Sequence, residues 1–237
     1  MAWNFADQIH ALTGFDADST SDSATDEDFN LLANQWLVDA AREVINILPP
    51  KLKMECSTIT NLYIGNTDTV MDLDASGPVL HVTRENADSG YFIGCREVDP
   101  IYASSAEDSS SLHYTTATDP IYWTESDSGG DPKLHVYPTP TSLQPAKVYH
   151  ISYPPNSTSW DGSNLPGAAT SITNFPDEAE YLVVLRASIT ASEYLLAIEE
   201  DVELYGPVLT TLKQQYQEGV LALQTGSTIP QQKGGQQ

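Results

Sequence analysis

Positive charge is scarce in this chain of 237 residues, which has 10 Lys and Arg against 33 Asp and Glu and a formal net charge of -23. A strongly negative protein repels the phosphates of DNA and RNA, so we expect any contact with nucleic acid to be non-adhesive. The charge suits a channel wall past which DNA slides, and equally solubility or adaptation to a salty medium.

Cysteine is also scarce, because Cys56 and Cys95 are the only two. Two are too few for a disulfide scaffold, and neither belongs to a CxxC or Cys/His pattern for zinc. We expect two buried reduced thiols, with a single bridge as the alternative. The first residues lack the basic and apolar regions of a secretory signal, and no apolar run approaches membrane-spanning length. Synthesis in a cytoplasm and no membrane partner are therefore expected.

Catalytic patterns are missing as well. The sequence has no GxSxG, no HExxH, no phosphate-binding Gly-rich loop and no dinucleotide fingerprint. His81, His135 and His150 fall within strand-like segments, where we interpret them as hydrogen-bonded structural residues. We therefore predict a protein that is not an enzyme and has no catalytic residue, no cofactor and no resident metal.

One acidic segment has the spacing of a calcium-binding loop. The segment would supply the ligands of an EF-hand-like loop at its positions 1, 3, 5, 7 and 12, which are Asp16, Asp18, Thr20, Asp22 and Glu27. Position 6, where such a loop needs glycine for its sharp turn, is Ser21. We interpret the segment as an acidic linker rather than a calcium site.

Helical spacing appears at both ends of the chain. Residues 26–48 have apolar side chains at three- and four-residue steps, and Pro49 and Pro50 follow them. Residues 176–201 and 207–223 show the same spacing, and we expect Gly206 and Pro207 to break the helix between them. A short amphipathic helix is predicted within residues 2–13.

Between these helices the apolar pattern changes to that of short strands with Gly, Pro, Asp and Ser turns. The predicted strands are residues 58–64, 69–73, 79–84, 91–98, 112–116, 121–124, 134–137 and 148–153. Several aromatic residues of this region could form a glycan-binding platform. We interpret them instead as core residues or cross-strand pairs.

The predicted fold class is α+β. An antiparallel helical bundle, made of the N-terminal helix and the two C-terminal helices, would carry an inserted antiparallel β-sandwich or barrel. The predicted domains are residues 1–54 with 175–223 for the bundle, 55–174 for the β insertion and 224–237 for a flexible C-terminal tail.

The sequence resembles head-to-tail connector proteins of tailed bacteriophages, also called adaptor or neck proteins. The resemblance is carried by residues 29–50 (FNLLANQWLVDAAREVINILPP) and 175–197 (FPDEAEYLVVLRASITASEYLLA). It implies a structural virion protein of the neck, made in the host cytoplasm. It also implies a ring, usually of twelve copies, between the portal protein and the tail nozzle, tail-tube or fibre proteins, through which DNA passes unbound.

Candidate interface residues follow from this resemblance and from the residue pattern. A C-terminal tail docks on the portal in related adaptors, which assigns that role to Thr225, Ile229, Pro230 and Gln231. Small and polar residues on the C-terminal helices would allow close lateral packing between copies, and the candidates are Ala187, Ala191, Gln214 and Gln217.

Two other classes of protein remain open at this point. One is a peripheral virion protein, such as a capsid decoration, vertex or fibre-attachment module, that binds a surface or glycan through its β part. Ring formation with portal or tail proteins would distinguish the connector from this class. A hydrolase built on the β part would instead require a bound metal or activity on a wall polymer.

Overall fold

A computed structural model describes residues 3–15, 24–63, 70–73, 77–86, 90–106, 108–154, 160–162, 164–199 and 202–225, without the side chains of 24–31 and 199. The chain divides into two compact units. Met1–Cys56 and Tyr153–Gln237 form the helical unit, and Ser57–Ser152 form the β unit. The class is therefore α+β, as predicted. Most of the acidic 16–27 segment, including all of its candidate calcium ligands, lies outside the described residues and side chains.

Two helices at the front of the chain follow from their end residues and apolar spacing. Helix α1 is Phe5–Thr13, and the side chain of Asn4 caps it by accepting a hydrogen bond of 2.7 Å from the Asp7 amide. It ends at Gly14, whose φ of 72° is a left-handed conformation that glycine adopts without strain. Helix α2 is Ala24–Ile47, and one face of it is buried through Ala33, Leu37, Val38, Ala40, Ala41, Val44 and Ile45. A four-residue helix, α3, follows at Pro50–Lys53.

Helix α5, Asp177–Glu199, is the centre of the helical unit and contacts α1, α2 and the last helix of the chain. The preceding helix in the chain, α4, has four residues, Ala103–Ala106, and lies in the β unit. The first turn of α5 carries carboxylates, which favour the positive end of the helix dipole. The apolar residues buried along this helix are Ala179, Leu182, Val183, Val184, Leu185, Ala187, Ile189 and Ala191.

By length and composition alone, Asp177–Ile198 is apolar enough to cross a membrane, with a mean hydropathy of 1.4. The expectation that no apolar run approaches that length therefore does not hold for this helix. Half of the apolar window is buried inside the unit. Core helices pass the same test, and the packing of α5 against three other helices accounts for its apolar residues.

The last helix, α6, runs without interruption from Val202 to Thr225. The predicted break at Gly206 and Pro207 is therefore wrong. Pro207 is the sixth residue of α6, and the helix continues past it because a proline can kink a helix without ending it. The hydroxyl of Thr210 donates to the Gly206 carbonyl at 2.9 Å, and that of Thr211 to the Pro207 carbonyl at 3.0 Å.

The segment before α5 lies in the helical unit, whereas the sequence analysis grouped it with the strands. Trp160 is only 1% exposed, and its ring lies edge-on to that of Phe5 with 5.9 Å between centroids. The Phe5 amide donates to the Ala169 carbonyl at 3.0 Å, and the Gly167 amide donates to Asn34 Oδ1 at 2.7 Å. A large apolar anchor and these hydrogen bonds fix the segment against α1 and α2.

The β unit contains two four-stranded sheets. Its strands are β1 Ser57–Leu62, β2 Val70–Asp72, β3 Val79–Glu85, β4 Phe92–Gly94, β5 Arg96–Glu97, β6 Ile121–Ser126, β7 Pro132–Tyr137 and β8 Ala146–Ile151. The first sheet has the order β1-β8-β3-β4 and is antiparallel throughout. The second has the order β2-β7-β6-β5.

Two strand predictions are corrected by this topology. Residues 112–116 form turns rather than a strand, because side chains such as Ser111 accept hydrogen bonds from nearby amides and compete with strand pairing. The predicted strand 91–98 splits at Cys95 into β4 and β5, which belong to different sheets. Strand β5 pairs parallel with β6, so the prediction of a wholly antiparallel insertion is also wrong. The long connection between these strands makes the parallel pairing possible.

One buried cluster contains side chains from both sheets. Its members are Leu62, Met71, Val82, Cys95, Leu134, Val136, Ala146 and Val148. Sheet alternation places these residues on the inner faces and leaves their neighbours outside. The sheets remain separate, so the described strands do not close into a barrel.

Candidate interaction surfaces

The most exposed helical surface of the described chain is one face of α6, which we call the outer face. Its residues recur at three- and four-residue steps, all are exposed, and they are Glu203, Pro207, Thr210, Gln214, Gln217 and Leu221. Leu221 is 61% exposed. Of the six, only Glu203 is charged, and Glu218, which accepts a hydrogen bond from Gln214, adds a second carboxylate at the edge of the face.

The opposite face of α6 lies very close to α5. Only Leu212 and Gly219 are buried along the helix. A Cβ atom added to Gly219 would lie 2.6 Å from Leu182 Cδ2 and closer still to the hydroxyl of Tyr181. The absence of a side chain at Gly219 therefore permits the close approach of the two helices.

Glu43 of α2 connects three helices through its carboxylate. Its Oε2 atom pairs with Arg186 Nε of α5 at 2.7 Å, and its Oε1 accepts a hydrogen bond of 3.3 Å from the Tyr216 hydroxyl of α6. Burial, followed by the Glu43 charge, raises the pKa of Tyr216 to about 12, so this hydroxyl remains a donor at all physiological pH values. These bonds orient α6 so that its outer face points to solvent.

The predicted interface residues fall into three groups. Gln214 and Gln217 lie on the outer face, where Gln214 donates to Glu218 Oε1 at 2.9 Å. Ala187 and Ala191 are fully buried and pack helices of the same chain, since α5 is surrounded by its own neighbours. Of the proposed docking tail, Thr225 is the exposed last residue of α6, while Ile229, Pro230 and Gln231 lie outside the described residues.

A polar cleft of about 350 Å³ lies in the second sheet and is lined by Val70, Asp72, Glu125, Asp127, Lys133 and His135. Its charges are paired internally. Lys133 Nζ lies 3.0 Å from Asp72 and 3.7 Å from Asp127, and His135 Nε2 lies 3.1 Å from Glu125. Among the described residues, no group of three or more His, Cys, Asp or Glu is arranged to hold a metal ion. The charged residues that line the cleft are therefore paired with one another.

The remaining residues with potential chemistry have structural contacts. His150 is buried and lies 3.0 Å from the Thr60 hydroxyl, which confirms the prediction of a hydrogen-bonded histidine. His135 stacks on Trp123 with centroids 5.1 Å apart. Cys56 and Cys95 are free and buried, as predicted. Burial raises the pKa of Cys56 to about 11 and that of Cys95 to about 12, so neither is a reactive thiol.

The aromatic residues of the β unit do not all have the core positions that we expected. Tyr91 is 75% exposed, and Phe92, Tyr102 and Tyr114 are also exposed. Sequence reasoning missed this surface because exposed and buried aromatic residues have the same strand-like spacing. It also missed Gly219 and Arg84, whose importance depends on contacts between distant segments.

Comparison with known proteins identifies a family for this chain. The family described as SU10 adaptor protein matches residues 10–232, which is nearly the whole chain. No curated protein matches the chain. The match spans the helical unit and the β unit together, so it concerns their combination and not one part alone. The chain thus belongs to the SU10 adaptor protein family and is a structural adaptor of a bacteriophage virion.

Proposed function

We propose that this adaptor assembles as a ring of twelve copies between the portal protein and the tail, in the neck of the virion. In this proposal the helical unit is an antiparallel bundle that carries the β unit as an insertion. The ring binds the tail nozzle, tail-tube or fibre proteins and lines the passage through which DNA is ejected. The chain is made in the host cytoplasm, and its role is mechanical and not enzymatic.

The outer face of α6 is the observation that carries this proposal. Two copies with a net charge of -23 repel each other, so they can meet closely only where few carboxylates face one another. The outer face has one carboxylate of its own, a second at its edge in Glu218, two glutamines and an exposed leucine. Contact of this face with a different surface of the next copy is heterologous, and a heterologous contact gives a ring when its rotation closes and an open filament when it does not.

The acidic charge supports the second part of the proposal. A passage for DNA must admit phosphates without retaining them, and a wall with excess carboxylates does not bind the duplex. Of the ten cations, several are already paired within the chain, as Arg186 is with Glu43 and Lys213 with Glu193 at 2.9 Å. These cations are therefore poorly placed to bind phosphates.

Electron microscopy of the chain co-expressed with its portal protein tests the ring directly. A second ring stacked on the portal is expected, and its symmetry gives the number of copies. A portal without a second ring, together with free adaptor that binds capsids or glycans, would reject the connector function.

The contribution of the outer face is tested by one added charge. Gln217→Glu places a further carboxylate on this face and should prevent ring closure without unfolding the monomer. Gln215→Glu makes the same change two residues away, on the side of α6 that faces a groove next to Leu12. Equal numbers of rings for Gln217→Glu and Gln215→Glu would show that the outer face is not the contact.

The role of the tail is tested by deletion. Thr225 donates to the Leu221 carbonyl at 2.9 Å and completes α6, so removal of residues 226–237 leaves the last helical hydrogen bonds intact. We expect normal folding and weakened attachment to the portal, because Ile229, Pro230 and Gln231 would be lost. Normal attachment of the shortened chain would reject the docking role.

A second candidate is a peripheral virion protein, and the exposed aromatic residues of the β unit favour it. Tyr102 is the last residue of a 3-10 helix, Pro100–Tyr102, and its ring is 4.5 Å from that of His113. Aromatic rings of this kind bind sugars through their faces. Binding of the adaptor to carbohydrate or capsid in the absence of portal would support this alternative.

A further inference from the structure

Three large apolar side chains are exposed at one end of the first sheet, and we call them the end patch. Leu143 is 84% exposed, Tyr91 75% and Phe92 37%. Phe92 pairs with Glu85 at the end of β3, and the Glu85 amide donates to the Pro145 carbonyl at 2.9 Å. The start of β4 and the loop between β7 and β8 therefore lie at the same end of the first sheet, on either side of Glu85. Exposed apolar clusters of this kind mark sites of protein association.

The loop that carries Leu143, residues 138–145, is held at both ends by Arg84. Arg84 is only 2% exposed. Its Nε atom donates to the Pro138 carbonyl at 2.7 Å, and its Nη2 donates to Gln144 Oε1 at 3.0 Å. A third bond of 3.1 Å joins Nη1 to the carbonyl of Glu85. All three acceptors are neutral, so these hydrogen bonds compensate the burial of the cation without a carboxylate.

The same loop is closed on itself by backbone hydrogen bonds. The Thr141 amide donates to the Gln144 carbonyl at 3.0 Å, and the Gln144 amide donates to the Thr141 carbonyl at 3.1 Å. Leu143 lies inside this turn and is presented on an ordered support. A side chain fixed in this way loses little conformational entropy on binding, which is the property of a preorganised contact.

The charges of the β unit indicate what kind of surface the end patch fits. Its four Lys and Arg all have partners within the unit. Arg84 bonds to carbonyls, Arg96 contacts Asp119, Lys133 contacts Asp72, and Lys147 Nζ lies 3.9 Å from the centroid of the Phe92 ring. Carboxylates outnumber these cations in the β unit, so this unit repels DNA and also the equally acidic β unit of a second copy. A protein with an apolar pocket and a rim of Lys or Arg is complementary.

We propose that Tyr91, Phe92 and Leu143 form the docking surface for a different virion protein, which offers an apolar pocket rimmed by basic residues. Leu143 is the central contact, and Arg84 is a positioning residue that holds its loop. This inference deepens the proposed function, because it rests on the chain being an assembled virion adaptor. It does not depend on the ring or on its number of copies.

Photocross-linking in assembled virions tests the docking surface. The variant Leu143→p-benzoylphenylalanine is introduced into the adaptor during infection, and cross-linked peptides are identified by mass spectrometry. We expect cross-links to one other virion protein, near Lys or Arg. The same substitution at Ser126, an exposed residue at the end of β6, is the control. Cross-links to a second copy, or a yield no higher than that of the Ser126 control, would overturn the proposal.

A charge substitution separates this surface from the ring. Leu143→Asp should leave adaptor rings on the portal, as seen by microscopy, and reduce the amount of the cross-linked partner in virions at least tenfold. Retention of that partner at the wild-type level would reject the docking surface. Absence of rings from the wild-type protein would reject the proposed ring, while the photocross-linking result would still stand by itself.

The positioning role of Arg84 is tested by hydrogen exchange. In Arg84→Met we expect the Thr141 and Gln144 amides to exchange at least tenfold faster, with a matching loss of cross-linking from position 143. If this variant does not fold, Gln144→Met removes one of the three bonds and leaves Arg84 in place. Unchanged exchange and cross-linking in a folded variant would show that Arg84 does not position the loop.

Discussion

The close approach of α5 and α6 at Gly219 makes a substitution there the most direct test of the helical unit. The change is Gly219→Ala, which adds a single methyl group. That methyl would lie 2.6 Å from Leu182 Cδ2 and 3.1 Å from Tyr181 Cζ, both shorter than van der Waals contact. Leu182 is fully buried, and the Tyr181 hydroxyl is buried as well although part of that side chain is exposed, so neither contact is relieved by a simple shift into solvent.

Two opposing terms set the expected magnitude. Alanine is favoured over glycine in a helix interior by about 1 kcal/mol. Insertion of a methyl group into a packed contact costs about 1–3 kcal/mol. The sum is a free energy of unfolding lowered by up to about 2 kcal/mol, since the contact with Leu182 cannot be relieved without moving the helix.

A second glycine of the same helix supplies the matched control. A Cβ at Gly206 would meet only Val202 Cγ1 at 3.7 Å, which is an ordinary contact. Helix propensity favours alanine at this position by about 1 kcal/mol, but the ring of Pro207 disfavours a Cβ on the helical residue before it, so Gly206→Ala should change the free energy of unfolding by less than about 1 kcal/mol. Urea unfolding followed by circular dichroism at 222 nm, on the full chain, measures both variants. A free energy of unfolding for Gly219→Ala no lower than that of Gly206→Ala would refute the close packing of α6 on α5.

A double-mutant cycle with Tyr181 identifies the source of the strain. The Tyr181 hydroxyl is buried with no hydrogen-bond partner among the described residues, so Tyr181→Phe should be neutral or stabilising. In the Tyr181→Phe background the effect of Gly219→Ala should be smaller, because one of the two clashes has gone. An unchanged effect would assign the strain to Leu182 alone.

Three further predictions concern other parts of the chain. Arg84→Met should lower the free energy of unfolding by at least about 2 kcal/mol, because three carbonyl or amide acceptors lose a charged donor. The control Arg96→Met, at an exposed arginine, should change the free energy of unfolding by less than about 0.5 kcal/mol. Urea unfolding of both variants compares these values. At pH 8 the thiols of Cys56 and Cys95 should react with a disulfide reagent at least about 100-fold more slowly in the native protein than in urea, and equal rates would contradict their burial. Burial raises the pKa of Glu180 above its ordinary 4.5, so the stability this group contributes is present below pH 4.5 and lost as pH rises through the raised pKa. Glu180→Gln should therefore be more stable than wild type at pH 7 and equal to it at pH 3, and no difference at pH 7 would contradict the shift.

Much of the secondary structure could be predicted because it depends on local spacing. The apolar steps of α2 and α5 and the Pro residues after α2 belong to neighbouring residues, so the sequence alone indicates these helices. The break predicted at Pro207 failed because a proline can kink a helix without ending it. Strand β5 failed for a different reason, since the choice of a parallel partner is made between segments far apart in sequence.

The candidate surfaces could be predicted only in part. The Gln-rich side of α6 was recognised from its polarity, but polarity could not tell that Ala187 and Ala191 face neighbouring helices of the same chain. Arg84 looks like any strand arginine until the loop at residues 138–145 folds back on it. The sequence does not show whether Gly219 is packed against another helix, because the contacts with Tyr181 and Leu182 exist only in the folded chain.

The sequence by itself determined the net charge, the scarcity of thiols, the positions of the long helices and the α+β class, because each of these follows from composition or from neighbouring residues. Only the tertiary structure decided which faces of α5 and α6 are buried, how the eight strands divide into two sheets, and which apolar residues remain in solvent. Those properties depend on contacts between residues 50 to 150 positions apart, such as Arg84 with Gln144 and Glu43 with Arg186. Local pattern carries no information on such contacts until the chain has folded.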